Sequence, residues 1–203
     1  MSTQYNMTDY EKTVAEFKWE KPEKFNFARD VVDKWATTDP EQMALVWVND
    51  EGHEERRTYA DISRASRQLC NLLTSLGVRR GDVVVIMLSR ELEWWEICTA
   101  CLRMGAILSP GTTQMTPKDI AYRINRAEAT CLISVEAHAP KLEAVEAECP
   151  TLKAKVIIGS EREGWTNYEQ GMAAASDEFE TADTASDENA ICYFTSGTTG
   201  HPK

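Results

Sequence analysis

No stretch of this chain is long and apolar enough to cross a bilayer as a helix. Such a span needs about 20 consecutive apolar residues, and the apolar runs here, such as residues 83–88, are strand-sized. Positive charge is also scarce: 22 Lys and Arg stand against 33 Asp and Glu, for a net charge of −11. That balance argues against a general nucleic-acid or anionic-membrane surface, which needs basic patches. Histidine is rare, with three scattered residues, so no histidine cluster suggests a metal site. The six cysteines include one close pair, Cys98 and Cys101. With no second pair, that spacing reads as two small hydrophobes on one helix face rather than a metal or redox centre. Reduced thiols fit a cytosol-like compartment. The first twenty residues have neither an apolar segment nor an arginine-rich leader, and carry Asp9, Glu11, Glu16 and Glu20. They predict a cytoplasmic protein.

The remaining composition is that of an ordinary globular domain, 42% hydrophobic and 27% charged. Phe27, Val31, Val32 and Trp35 recur at helical spacing, and Asp39-Pro40 closes that helix. Residues 43–48 and 54–59 flank the turn Asn49-Asp50-Glu51-Gly52, which predicts a hairpin. Thr58 is placed to cap the next helix, whose apolar stripe is Ile62, Ala65, Leu69, Leu72, Leu73 and Leu76. The unbroken apolar run 83–88 reads as a strand buried on both faces. A helix over about 91–104 ends at Gly105, and a short strand covers 106–108. Thr116-Pro117-Lys118-Asp119 starts a helix reaching about Ala127, with Thr as cap, Pro in the first turn and an acid at the third position. Strands over 131–135 and 156–158 bracket a helix over 139–148. Repeated strand–helix–strand steps imply an α/β fold, with a largely parallel sheet flanked by helices. The acidic stretch 176–188 reads as a solvated connector, and residues 190–194 as a strand leading out of it.

That strand leads into the densest motif of the chain: Thr195, Ser196, Gly197, Thr198, Thr199, Gly200, His201, Pro202 and Lys203. Glycines let backbone bend around an anion so that N–H groups face phosphate oxygens. Hydroxyls add donors and a lysine adds a mobile positive charge. The spacing of Gly197 and Lys203 matches a Walker A loop, but Pro202 stands where the second glycine belongs and has no N–H. That departure argues against a P-loop kinase or GTPase.

Thr-Ser-Gly-Thr-Thr-Gly-x-Pro-Lys resembles the phosphate-binding signature of the adenylate-forming, or AMP-binding, superfamily. A second set of residues is similar to its medium-chain acyl-CoA synthetase branch: Arg90-Glu91-Leu92-Glu93-Trp94-Trp95, Arg103-Met104-Gly105-Ala106, Pro110-Gly111-Thr112-Thr113-Gln114-Met115, and Lys118-Asp119-Ile120 with Tyr122-Arg123. The resemblance implies that the 203 residues are part of the large N-terminal domain of such an enzyme. It further implies fatty-acid and lipid metabolism, with ATP, Mg²⁺ and coenzyme A used to activate a small carboxylic acid through an acyl-adenylate. Residues 195–203 would hold ATP, and Gln114 aligns with a glutamine placed against coenzyme A. Its other reading is a loop amide capping nearby backbone. His201 stands at a variable position and reads either as a pH-sensitive donor or as a solvent-facing residue. Trp94 and Trp95, beside Ile97 and Leu102, read as core. The family's ribose-binding aspartate, hinge and mobile C-terminal lysine have no counterpart within the 203 residues. The fragment alone is therefore expected to be inactive, with no catalytic residue or metal ligand named in it. Two other functions fit the same residues: a non-catalytic binding module, and an adenylating enzyme with another acyl acceptor.

Overall fold

The computed structural model describes residues 8–195. Helix α1 spans Tyr10–Glu16. A π-helical turn, Ala28–Asp33, then runs directly into a short helix α2, Lys34–Thr38. A hairpin follows, with β1 (Met43–Val48) antiparallel to β2 (Glu54–Thr58). Helix α3, Tyr59–Ser75, leads into the main sheet. The rest of the chain alternates as β3 (Val83–Met87), α4 (Glu93–Met104), β4 (Ile107–Pro110), α5 (Pro117–Ala127), β5 (Cys131–Val135), α6 (Ala139–Glu143), β6 (Ala154–Ile158), β7 (Thr166–Asn167) and α7 (Tyr168–Ala174).

All five strands of the main sheet are parallel, in the order β4-β3-β5-β6-β7. The chain steps from β3 to one side and then returns to its other side, so the order reverses at β3. Strand alternation splits the core in two. Val84 and Ile86 of β3, with Cys131 and Ile133 of β5, pack under α3 and α4 against Leu69, Leu73, Ile97 and Ala100. Val85 and Met87, with Leu132, pack under α5 and α6 against Ile120, Ile124 and Leu142. The unbroken apolar run at β3 is thus explained: both faces of the strand are buried.

The helix starts follow from their caps. Thr58 and Thr116 each accept from the backbone N–H of the third helical residue, while Asp61 and Asp119 accept from the cap backbone, completing two capping boxes. Gly105 ends α4 in the left-handed conformation, φ 72°.

The structure differs from the sequence reading in several places. The helix expected over 139–148 is only α6 long, flanked by 3₁₀ turns at Glu136–His138 and Glu146–Glu148. The strand expected over 190–194 makes one parallel bridge, Ile191 to Leu108 of β4. Strand β7 and helix α7 carry too short a pattern to be read from sequence. Trp94 packs against the core but Trp95 is 50% exposed, because the two rings leave adjacent helix positions about 100° apart.

The acids within 176–188 are exposed, yet the backbone of this segment is tied down at many points. Asn71 Nδ2 donates to the carbonyls of Ser176 and Glu178, both at 2.8 Å. The Ala182 amide donates to Arg103 O at 2.9 Å, and Ser186 N to Glu23 O at 3.1 Å. Arg80 pairs with Glu188. At the centre of this strap lies Asn26, 2% exposed, whose Nδ2 donates to Leu102 O (2.8 Å) and Ala182 O (3.1 Å).

Candidate phosphate-binding edge

Parallel strands put all their carboxyl ends on one edge, and ligands of open α/β sheets lie outside that edge where the strand order reverses. Here the reversal falls between β4 and β5, on either side of β3. Two segments rise from that edge. The first follows β4 directly and contains Gln114. Gly111 N donates to Ile86 O at 2.8 Å, tucking this loop against the end of β3. A Cβ at Gly111 would lie 2.4 Å from Met115 Cε, so a larger residue there would make the buried Met115 side chain shift beneath the loop. Lys141 Nζ pins the loop from α6 by donating to Thr113 O at 2.8 Å. Gln114 itself is exposed. Among the described residues its side chain caps no backbone group, and only its own N–H is bound, donating to Thr112 Oγ1 at 3.2 Å.

The second segment is 190–195. Leu108 N donates to Ala190 O at 3.0 Å and Cys192 N to Leu108 O at 2.8 Å, so it runs parallel to β4 on the sheet's outer side. Ser109 Oγ adds a bond to Cys192 O at 3.0 Å. Cys192 and Phe194 are half-buried while Ile191, Tyr193 and Thr195 face out, the alternation of an extended chain. This geometry carries Thr195 to the carboxyl edge. Ser196, Gly197, Thr198, Thr199, Gly200, His201, Pro202 and Lys203 lie outside the described residues.

Helix α5 backs this segment. Arg123 places its guanidinium 4.8 Å from the Phe194 ring centroid, and Tyr122 meets the same ring edge-on at 6.3 Å. The capping box lowers the Asp119 pKa, because the Thr116 hydroxyl and N–H both donate to its carboxylate. Tyr122 and Arg123 stood within a recognised pattern, but nothing in their spacing indicates the partner on a distant strand. Arg79 and Arg80 serve a turn: Arg79 Nη1 donates to Thr74 O at 2.7 Å, and Arg80 binds the strap.

The cysteines behave as small hydrophobes. All six thiols are free. Burial raises the pKa of Cys70, Cys98 and Cys131 well above the ordinary thiol value, and pushes Cys101 up to about 12. Among the described residues no group of three or more His, Cys, Asp or Glu is placed to hold a metal ion.

Comparison with known proteins agrees with this fold. The family model "AMP-binding enzyme" matches residues 32–203. Acyl-coenzyme A synthetase ACSM3, mitochondrial, of Mus musculus is 42% identical over the whole chain, which covers 36% of that relative. The mouse ACSM4 counterpart, also named mitochondrial, is 41% identical over 90% of the chain and 33% of its own length. Among solved structures, a Brucella canis acyl-CoA synthetase superposes with a TM-score of 0.80 at 27% identity, covering 96% of this chain and 35% of that one. Anthranilate CoA ligase AuaEII, solved with anthranoyl-AMP, shares the fold at a TM-score of 0.77 and 24% identity, over 89% of this chain and 34% of its own. The chain therefore spans about a third of the length of the relatives it matches. The cytoplasmic location expected from the acidic start is overturned by the mitochondrial names of these relatives. The charge of twenty residues reports only on those residues, and reduced thiols do not distinguish one reducing compartment from another. With the match over 172 of 203 residues, by difference of the printed bounds (203 − 32 + 1), the chain belongs to the AMP-binding enzyme family.

Proposed function

We propose that this chain is the phosphate-binding part of an AMP-forming acyl-CoA synthetase that activates a medium-chain or related carboxylic acid in fatty-acid and lipid metabolism. The likeness of all 203 residues to acyl-coenzyme A synthetase ACSM3 carries this reading, and the segment leading to Thr195 at the sheet's carboxyl edge supports it. In the first step a carboxylate oxygen attacks the α-phosphorus of ATP, the bond to the bridging oxygen of the β-phosphate breaks, and pyrophosphate leaves. In the second, the coenzyme A sulfur attacks the acyl carbon, the thiol proton passes to solvent or base, and AMP leaves from the thioester.

Charge control is the main demand of the first step, because an anion approaches a polyanion while charge grows on the leaving group. Thr195, Ser196, Gly197, Thr198, Thr199, Gly200, His201, Pro202 and Lys203 form the loop assigned to ATP. Its N–H groups, hydroxyls and ammonium would meet the β- and γ-phosphates, with Pro202 restricting the backbone. The exposed amide of Gln114 is free to meet coenzyme A, donating and accepting at once. Mg²⁺ supplies charge neutralisation to such phosphates. No ligand set for it stands among the described residues, and no step here runs through it. The mitochondrial location of the relatives is carried over to this chain.

The test is an assay of the protein bearing this chain with ATP, Mg²⁺, coenzyme A and a panel of short, medium and aromatic acids. Acid-dependent pyrophosphate with thioester product is the expected result. Pyrophosphate without thioester would replace coenzyme A with another acceptor, and neither product would defeat the synthetase reading. The 203 residues assayed alone are expected to release no pyrophosphate above background, since they span 36% of that relative.

A further inference from the structure

Arg123 reaches the strand that delivers the loop, and its contacts are unusual. Its Nε is buried and has no hydrogen-bond partner. It forms no ion pair among the described residues, and the carboxylate one helical turn before it, Asp119, is committed to Thr116 N at 2.9 Å and Thr116 Oγ1 at 2.7 Å. What the guanidinium does contact is the face of Phe194, at 4.8 Å. A cation over an aromatic face is attracted by the ring's quadrupole, more so when both are sheltered from water. Tyr122 closes on the same ring from its edge. Phe194 immediately precedes Thr195, and bonds at residues 190 and 192 hold the segment bearing it to β4. The α5 contacts anchor the last inward-facing side chain before the chain leaves the sheet edge.

We infer that Arg123 is a positioning residue: stacked on Phe194, it sets the direction in which the chain leaves the sheet for the phosphate-binding loop. This rests on the synthetase reading for its consequence, though not for its geometry. Arg123 touches no reacting atom. It acts through Phe194, and its effect falls on the fit of the triphosphate.

Two measurements test it. The first is hydrogen exchange on the protein bearing this chain, comparing Arg123→Met, Arg123→Lys, Phe194→Leu and the Met/Leu double variant. Exchange at the Leu108 and Cys192 amides is expected to quicken about tenfold in Arg123→Met and at least as much in Phe194→Leu, with the double variant no faster than Phe194→Leu alone, because loss of the ring already removes the Arg123 contact. Amides of β3 and β5 should keep their protection. Arg123→Lys retains the charge and should recover part of the effect. The second is steady-state kinetics of the protein bearing this chain. Arg123→Met is expected to raise KM for ATP about tenfold, with kcat within about twofold and KM for coenzyme A unchanged. Unaltered exchange, an additive double variant, or loss of protection across the whole sheet would overturn the clamp. Quickened exchange with an unchanged KM for ATP would overturn its role in nucleotide fit. A wild type that releases no pyrophosphate would defeat the synthetase reading, while the exchange comparison would still decide the clamp.

Discussion

The ion pair between Arg103 and Asp33 should be the most sensitive single point of this fold. Arg103 has a fully buried side chain and Asp33 one that is 20% exposed. Arg103 donates to Asp33 Oδ1 from Nη2 at 2.7 Å and to Oδ2 from Nη1 at 2.8 Å, a two-pronged geometry that a guanidinium satisfies best. Its Nε donates to Ser66 Oγ and Nη1 also to Thr181 Oγ1, reaching the strap before the loop. Ser63 Oγ and Arg67 Nη2 complete the carboxylate's shell at 2.6 and 3.2 Å. In Asp33→Asn the lost charge leaves Arg103 buried and unpaired. Wherever the amide nitrogen sits, it turns a donor toward the guanidinium. Removing one partner of a buried pair costs about 3–5 kcal/mol, and the partial exposure of Asp33 favours the lower end, about 3. For a chain of this size that lowers Tm by about 6–12 °C, read by far-UV circular dichroism. Arg67→Met, removing a half-exposed partner, should cost much less. The same pair gives a pH dependence. Burial raises the Asp33 pKa, but the bonds from Arg103 and Ser63 and the charges of Arg103 and Arg67 outweigh it and leave it lowered. A depressed carboxylate stabilises fully above its unfolded pKa of about 4 and loses that stabilisation as pH falls through the folded value. The Tm difference between wild type and Asp33→Asn should therefore be constant near neutrality and shrink below about pH 4. A loss under about 1 kcal/mol at pH 7, or a difference that grows with acid, would refute this account.

Thr116→Ala removes one of the two capping boxes and should cost about 1 kcal/mol in urea melts, while an unchanged midpoint would show that α5 is held by packing alone. Gly105→Ala places a Cβ at φ 72° and 2.9 Å from Arg80 Cγ, and is expected to destabilise by about 1–2 kcal/mol. Neutral stability there would mean that Arg80 swings off the strap without consequence. With Ellman's reagent at pH 8, the half-buried Cys192 should react first in the native protein. Cys70, Cys101 and Cys131 should become reactive only on unfolding. Rapid native labelling of any of those three would contradict their burial.

The α/β class, the hairpin, the capped starts of α3 and α5, and the buried β3 were legible because each is written in local residues: a period, a cap, a turn. The strap was not. Its acids gave a surface composition, and nothing in sequence tells that Asn26, Asn71 and Arg103, far away in the chain, hold its backbone. The truncated α6 failed for a related reason, since apolar spacing over 139–148 fits equally a helix and a chain of short turns packed on the sheet. Trp94 and Trp95 looked equivalent in sequence, and only the direction of the helix separated them.

For the proposed site, the sequence alone supplied the groups that a phosphate would meet, because glycine freedom, hydroxyl donors and a lysine are properties of the residues themselves. It also determined the family, since the signature lies in consecutive positions. The tertiary structure decided the course of the segment that leads toward those residues. The parallel sheet brings the 190–195 segment beside β4, and the Gln114 loop to the same carboxyl edge, although about eighty residues of chain separate them. The contact of Arg123 with Phe194 belongs wholly to that second level: a cation and a ring seventy-one positions apart (194 − 123) have no local signal to join them, and meet only because the sheet and helix α5 are packed.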